Sequence, residues 1–144
     1  MVKTNILGNT QARKVVDSLG CFSVVEYEKD VSVTPQTAQN AYFQSLMNVR
    51  KRQLLLDLDE KSSYIVQKGA MQWMSGNVTT DSNVKGVGDF LGKMVSSAVT
   101  NESAVKPIYR GKGQMMLEPT YRHIILVDVS KWGTIVLDDG LFLA

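Results

Sequence analysis

Short segments rich in β-branched and aromatic residues dominate this sequence after residue 50. They include "SYIVQKGAMQWM", "KPIYRGKGQMML", "RHIILVDV" and "WGTIVLDDGLFLA", and Gly, Pro or Asp lies within or beside each of them. Short strands that alternate with turn residues are typical of β-sandwiches and jelly-roll-like barrels. The pattern therefore predicts a mainly β fold, a β-sandwich with two or three short helices.

Two of these helices are predicted in the first third of the chain. Apolar residues recur at helical spacing between residues 9 and 20, and Asn9 or Thr10 can cap a helix there. Proline is tolerated at the first helical position, so Thr34-Pro35 predicts the start of a second helix, which runs to Leu46. We therefore divide the chain into an N-terminal strand or helix extension over residues 1–20 and a β domain over residues 21–144.

The stretch "NVKGVGDFLGKMVSSAVT" (residues 83–100) has the glycines and the lysine of a phosphate-binding loop, but not their spacing. A Walker loop needs four residues between its glycines and a Ser or Thr after its lysine, whereas Gly88 and Gly92 enclose three residues and Met94 follows Lys93. The apolar residues instead repeat with the period of a helix that has one apolar face. We expect this face to pack on a β-sheet or on a neighbouring subunit. It consists of Val87, Phe90, Leu91, Met94, Val95, Ala98 and Val99.

The charge of the chain is nearly balanced, because sixteen basic and fourteen acidic residues give a net charge of +2. Such a balance provides no broad basic face, so DNA binding and general nucleic-acid binding are not expected. Arg50, Lys51 and Arg52 form a local basic patch, which is a candidate contact for RNA or another anion. A solvated strand edge is the other interpretation, since charged side chains also protect strand edges from aggregation.

Nothing in the sequence predicts a catalytic residue, a metal site or a cofactor. His123 is the only histidine and Cys21 the only cysteine. A nucleophile–histidine pair would have to use His123, and nothing near it in the sequence supports such a pair. An enzyme centred on His123 is the minor alternative, and we expect no enzymatic activity. The single cysteine excludes an intrachain disulfide and suits a reducing compartment.

The sequence predicts neither a signal peptide nor a transmembrane segment. The first residues lack a long apolar segment behind a basic start, and the longest apolar runs, such as Ile124 to Val127, have only four residues. The helix predicted over residues 87–99 offers one lysine and one aspartate on its polar face, whereas membrane-surface helices are rich in Lys and Arg there. We therefore expect a cytoplasmic protein without peripheral membrane association.

Two segments of the sequence are similar to each other. "YIVQKGAMQWM" and "TIVLDDGLFLA" share an Ile-Val start, a glycine and an apolar tail, and Gly69 and Gly140 align at an offset of 71 residues. Such self-similarity is typical of two copies of one β unit, although short β motifs also match by chance. If the duplication is real, the chain is the front half of a longer protein; otherwise a partner completes its last strand.

A resemblance to a known family is carried by "GAMQWMSGNV", by the glycine-opened helix predicted over residues 87–99, and by "LEPTYRHIILVDV" and "DDGLFLA". The chain resembles the family named for altered inheritance of mitochondria, number twenty-four. The resemblance covers residues 21–144. It implies a fold similar to that of the trp RNA-binding attenuation protein, a β-sandwich related to the double-stranded β-helix. In that family the motif from Gly140 to Ala144 opens a second β half, and the resemblance supplies no catalytic residues. The mitochondrial members are linked to inner-membrane organisation, which implies a scaffold-like role.

Together these observations predict a non-catalytic, cytoplasmic β-sandwich protein that acts as a homo-oligomer or by binding a protein partner. The alternative is a protein that binds single-stranded RNA or a nucleotide through a basic strand edge. That alternative depends on likeness of fold to an RNA-binding protein, and fold alone does not determine function.

Overall fold

Six β-strands in one sheet account for most of the secondary structure in the described part of the chain. The structure is a computed structural model that describes residues 4–29, 32–82, 106–138 and 140–144. The strands are β1 (Arg13–Leu19), β2 (Phe22–Tyr27), β3 (Lys51–Leu58), β4 (Ser63–Ile65), β5 (Met71–Ser82) and β6 (Pro107–Leu117), and the described helices are α1 (Ala38–Leu46) and α2 (Val129–Trp132). The strand order is β1-β2-β3-β6-β4, and β5 also pairs with β6. The prediction of a mainly β fold is confirmed.

The chain divides into two compact units, each with its own buried residues. One unit contains Val2–Leu56 and Met116–Val127, and the other contains Asp57–Met115 and Asp128–Ala144. In the first unit the core includes Val24 and Val25 of β2, which are both 0% exposed. Because consecutive strand residues point to opposite faces, β2 is covered on both faces. A β-sandwich needs only the inner face of each sheet to be buried, so this coverage does not test it, and the sandwich and its likeness to the attenuation protein stay predictions.

In the second unit the buried residues come from short stretches of several elements. They are Leu58, Tyr64, Val66, Tyr109 and Met115. β4 pairs antiparallel with β6, with Tyr64 opposite Tyr109. Neither helix in the described part of the chain has the length and apolar character that crossing a membrane requires.

β1 lies where the sequence pattern predicted a helix, and that prediction was wrong. β1 pairs antiparallel with β2, and the register shifts between Val15 and Asp17. This bulge adds one residue to β1, so its apolar residues are spaced irregularly and imitate a helical period. Thr10, the expected helix cap, instead accepts a hydrogen bond from the backbone N–H of Arg13 (3.2 Å) in the turn before the strand.

The second predicted helix is confirmed as α1, although it begins three residues later than expected. Thr34 and Pro35 lie in the turn before it, where the Thr37 N–H donates to the Thr34 carbonyl (3.1 Å). Thr37 then occupies the N-cap position. No residue of α1 is buried, and the helix bears no charged side chain. Its exposed aromatic and aliphatic residues become important below.

The strands predicted over residues 122–129 and 132–144 were wrong. The described residues of the two segments form no strand, and Ile125 (79% exposed) and Val136 (91% exposed) lie outside any core. Asp128, expected in a turn after a core strand, caps the single turn of α2 and accepts the N–H of Ser130 (3.1 Å). The Gln67 N–H donates to the Leu143 carbonyl (2.9 Å), but these segments form no strand ladder within the described residues, so their hydrophobicity alone does not make them strands.

The two similar segments adopt the same local turn. The Ala70 N–H donates to the Gln67 carbonyl (3.0 Å), and the Leu141 N–H donates to the Asp138 carbonyl (3.2 Å). The glycine before each donor has a positive φ, +81° at Gly69 and +76° at Gly140. A β-turn with glycine at its third position explains both glycines. The similarity therefore extends from sequence to backbone conformation, and duplication remains an interpretation.

Candidate functional site

The three predicted anion contacts do not point in one direction. Arg52 and Lys51 are neighbours on β3, so their side chains leave opposite faces of the sheet. Lys51 lies 5.6 Å from the centroid of the Tyr121 ring and donates to Ser32 Oγ (3.5 Å). Arg50 precedes the strand, and its Nη1 donates to the Glu28 carbonyl (3.3 Å). Of the three, Arg50 and Lys51 line the same cleft, which is described below, and Arg52 does not.

Arg52 belongs to a row of charged residues across three strands. Lys14 of β1 lies opposite Glu26 of β2, and Glu26 lies opposite Arg52 of β3. Arg52 Nη2 is 2.5 Å from Glu26 Oε2, and only 15% and 10% of these two side chains are exposed. Lys14 Nζ adds a second cation 3.6 Å from Glu26. The Arg52 guanidinium therefore neutralises a poorly solvated carboxylate.

A cleft lies between α1 and the neighbouring ends of β2 and β3, and we call it the α1 cleft. It has a volume of about 370 Å³. Aromatic, basic, acidic and small apolar side chains share its wall. The lining residues are Tyr27, Glu28, Lys29, Val33, Ala38, Ala41, Tyr42, Ser45, Val49, Arg50 and Lys51. Charged side chains and the hydroxyl of Ser45 make up five of these residues, so the wall is more polar than that of a usual small-molecule pocket.

The floor of the α1 cleft is held in place by hydrogen bonds. Tyr27 lies directly opposite Lys51 in the strand register. The Tyr27 hydroxyl donates to Gln53 Oε1 (2.6 Å), and Gln53 Nε2 donates to the Leu117 carbonyl (2.8 Å). Burial raises the pKa of Tyr27, so its phenol stays protonated at neutral pH. The Tyr27 ring is therefore a fixed, uncharged wall.

Glu28 is the acidic residue among the described residues that line the α1 cleft; residues 30 and 31 lie outside the described part of the chain. Its carboxylate contacts Lys14 Nζ and lies 3.8 Å from Arg50 Nε. The hydrogen bond from Lys14, with the charges of Lys14 and Arg50, lowers the pKa of Glu28, and the same contact raises the pKa of Lys14. Glu28 therefore remains ionised and already has a cation beside it.

We expect the pKa of Glu28, measured by NMR titration of its carboxyl carbon, to lie below that of an ordinary glutamate. Lys14→Met removes the hydrogen bond and should raise the pKa into the ordinary range, whereas Lys14→Arg keeps the positive charge and should leave the pKa low. A carboxyl with a lowered pKa stabilises the fold above its unfolded pKa of about 4.3. That contribution is lost as the pH falls through the lower, folded value. An unchanged Glu28 titration in Lys14→Met would contradict this assignment.

A sequence profile of the mitochondrial biogenesis AIM24 family matches residues 43–144, more than two thirds of the chain. The chain belongs to this family. The resemblance that the glycine and apolar motifs indicated is thereby confirmed. Neither the search of curated proteins nor the search of solved structures gave a match.

The AIM24 match and the α1 cleft overlap only in part. Four of the lining residues, among them Arg50 and Lys51, lie within residues 43–144. The other seven, among them Tyr27 and Ala41, precede residue 43. The cleft therefore combines the beginning of the matched span with residues outside it.

The remaining predicted residues lie elsewhere or outside the described part of the chain. The helix face from Val87 to Val99 lies outside it, as does Asp139. His123 is exposed, and it is not among the residues that line the α1 cleft. No group of three His, Cys, Asp or Glu residues could hold a metal ion within residues 4–29, 32–82, 106–138 and 140–144.

Sequence analysis missed the α1 cleft as a unit. The small residues Ala38, Ala41 and Ser45 share one side of α1, and their spacing could be read from the sequence. What could not be read is that Tyr27 and Arg50, 23 residues apart in the chain, would face this side. That arrangement depends on the pairing of β2 with β3.

Proposed function

We propose that this AIM24-family chain is a non-catalytic protein that works by self-association through α1. The observation that carries the proposal is the exposure of four large apolar side chains on one nine-residue helix and its C-cap. Tyr42, Phe43, Leu46 and Met47 are 61%, 53%, 66% and 77% exposed. We call this set the α1 apolar face.

The α1 apolar face has the composition of an interface. Residues three and four positions apart are neighbours on a helix, so Phe43 lies beside Leu46 and Met47. The rings of Tyr42 and Phe43 pack edge to face with their centroids 5.6 Å apart. Aromatic residues and Met are enriched in protein interfaces. Exposed apolar clusters of this kind mark association surfaces.

A second copy of the chain is the occupant that the charges favour. α1 contains no acidic or basic residue from Ala38 to Leu46. Two such helices can approach each other without like-charge repulsion, which symmetric contacts between charged helices incur. A helix this short is also marginal by itself, so burial against a second copy would stabilise it.

The double substitution Phe43→Ser and Leu46→Ser should shift the protein from a dimer or larger assembly to a monomer. Each change removes on the order of 1 kcal/mol of contact energy and is present in both copies, so the dissociation constant should rise by at least about a hundred-fold. Sedimentation equilibrium over a range of protein concentrations measures the change. Ala41→Ser, on the opposite side of the same helix from Phe43 and Leu46, is the matched control and should leave the assembly intact.

A wild-type protein that stays monomeric at high concentration would overturn self-association. In that case a different protein partner becomes the hypothesis for the α1 apolar face. If the protein associates but the double substitution has no effect, association uses another surface, and the role given to α1 is wrong.

Binding of single-stranded RNA or a nucleotide through Arg50, Lys51 and Arg52 is the second candidate. The three side chains diverge, and Arg52 is engaged by Glu26. This arrangement leaves at most Arg50 and Lys51 for a phosphate backbone, which is a small electrostatic contribution. A mixed-sequence oligonucleotide that binds at low salt and loses affinity as salt rises would favour this alternative. The cytoplasmic location and the lack of enzymatic activity remain predictions that accompany the first proposal.

A further inference from the structure

We propose that residues 5–10 form an edge clamp, which keeps the outer edge of β1 from pairing with β1 of a second copy of the chain. β1 lies at one end of the strand order of the described sheet and pairs with β2 on one side. The other side of such an edge strand offers backbone N–H and C=O groups to a further strand. Opening of the edge clamp therefore exposes an association surface separate from the α1 apolar face, and the proposal does not depend on self-association through α1.

The outward backbone groups of β1 follow from its pairing with β2. In an antiparallel pair, the N–H and C=O of one residue point to the same side, and neighbouring residues point to opposite sides. The Ala12 carbonyl points to the side of β2, because it accepts the N–H of Glu28 (2.8 Å). Arg13 and Val15 alternate with this orientation before the bulge begins, so their N–H and C=O groups point away from β2.

The edge clamp already occupies these outward groups. The Val15 N–H donates to Asn9 Oδ1 (2.9 Å). The Arg13 N–H donates to Thr10 Oγ1 (3.2 Å), and the Arg13 carbonyl accepts the Thr10 N–H (2.8 Å). A further strand needs the same N–H and C=O groups, so it can pair with this edge only after Asn9 and Thr10 have left it.

The contacts that hold the edge clamp lie near the surface. Arg13 Nε donates to the Ile6 carbonyl (3.1 Å), and Arg13 Nη2 donates to the Asn5 carbonyl (2.9 Å). None of the residues of the edge clamp is buried. Segments with few buried contacts and solvent-exposed hydrogen bonds open locally at a low cost in free energy. The edge clamp can therefore open while the sheet beside it stays folded.

A second copy of β1 fits the opened edge, because two identical edges are complementary when they run antiparallel. Arg13 of each copy then exchanges N–H···O=C hydrogen bonds with Val15 of the other, so the outward groups of both copies are paired. Lys14 lies between them and faces Lys14 of the second copy. Within its own chain Lys14 contacts Glu28 and lies 3.6 Å from Glu26, and these carboxylates reduce the repulsion.

The first test is hydrogen–deuterium exchange of the Val15 amide, followed by NMR. The background is the Phe43→Ser and Leu46→Ser double variant, which removes the α1 apolar face. Asn9→Ala removes the acceptor of the Val15 N–H, so exchange in dilute protein should become about five-fold faster. Asn9→Asp keeps an acceptor oxygen and should leave the exchange slow. Gln11→Ala, at an exposed position that takes no part in the edge clamp, is the matched control.

The second test is the effect of protein concentration on the Asn9→Ala and Thr10→Ala double substitution in the same background. At high concentration the exchange of the Val15 amide should become slow again, because the strand of a second copy accepts the N–H. Sedimentation equilibrium should show a dimer, which the background protein does not form. Association through α1 leaves the Val15 N–H uncovered, so the two proposals can fail separately.

Two results would overturn the role of the edge clamp. One is rapid exchange of the Val15 amide at every concentration of the double substitution, even in an assembled protein. The other is an exchange rate that Asn9→Ala does not change. If the double substitution does not fold, Asn9→Ala alone supports the same concentration series.

Discussion

Gly111→Ala is expected to destabilise the protein by more than about 3 kcal/mol, a large part of the stability of a typical domain. Gly111 lies in β6 with φ at +122°, a conformation that side-chain-bearing residues rarely adopt. A Cβ built there would overlap the Asn77 carbonyl oxygen and would lie 3.0 Å from Val78 Cα. Both obstacles are backbone atoms of β5, so no side-chain rotation can relieve the overlap.

Gly69→Ala is the matched control for this prediction. Gly69 also has a positive φ, +81°, but nothing lies within 4 Å of a Cβ built there. The control therefore contains the backbone strain without the overlap, and its destabilisation should be about 1 kcal/mol. Urea unfolding followed by circular dichroism gives both free energies of unfolding. Similar losses in the two variants would show that β5 and β6 do not approach as closely as the structure indicates.

Arg52→Ala is expected to destabilise the protein by about 3 kcal/mol. The substitution leaves the Glu26 carboxylate, with only 10% of its side chain exposed, without its closest cation. Lys14 remains 3.6 Å away and compensates in part. Removing one partner of a poorly solvated ion pair is strongly destabilising, because the other charge stays buried. The free energy of unfolding in urea is again the measurement.

Arg50→Ala tests whether position in the sheet, rather than charge, causes this loss. Arg50 is more exposed, and its contacts are longer, so its removal should cost less than about 1 kcal/mol. Adding Glu26→Gln to Arg52→Ala should recover part of the lost stability, because it removes the buried charge. A double substitution as unstable as the sum of the two single ones would show that Glu26 and Arg52 are not coupled.

The basic segment shows what a sequence can indicate about a site and where it stops. Three consecutive basic residues identified a local concentration of charge. Their alternation on β3 separates Lys51 from Arg52, and the register with β2 places Glu26 beside Arg52. Strand pairing therefore determines which of these basic side chains is already paired with a carboxylate. A single sequence records the charges but not the residues opposite them.

The errors in secondary structure have the same origin. The apolar spacing before Gly20 imitated a helix because β1 contains a bulge. The apolar residues around Ile125 imitated a strand, yet a strand exists only where another strand accepts its hydrogen bonds. In contrast, the start of α1 was predictable within three residues, because Thr34-Pro35 acts locally.

The sequence by itself determined the mainly β character, the AIM24 resemblance, the helix after Pro35 and the two similar glycine turns. Each depends on local preferences or on motifs that are contiguous in the chain. The tertiary structure alone decided the pairing of Arg52 with Glu26, the close approach at Gly111 and the α1 cleft. These features join residues from separate strands and helices, and local preference carries no information about which distant backbone or side chain will lie opposite.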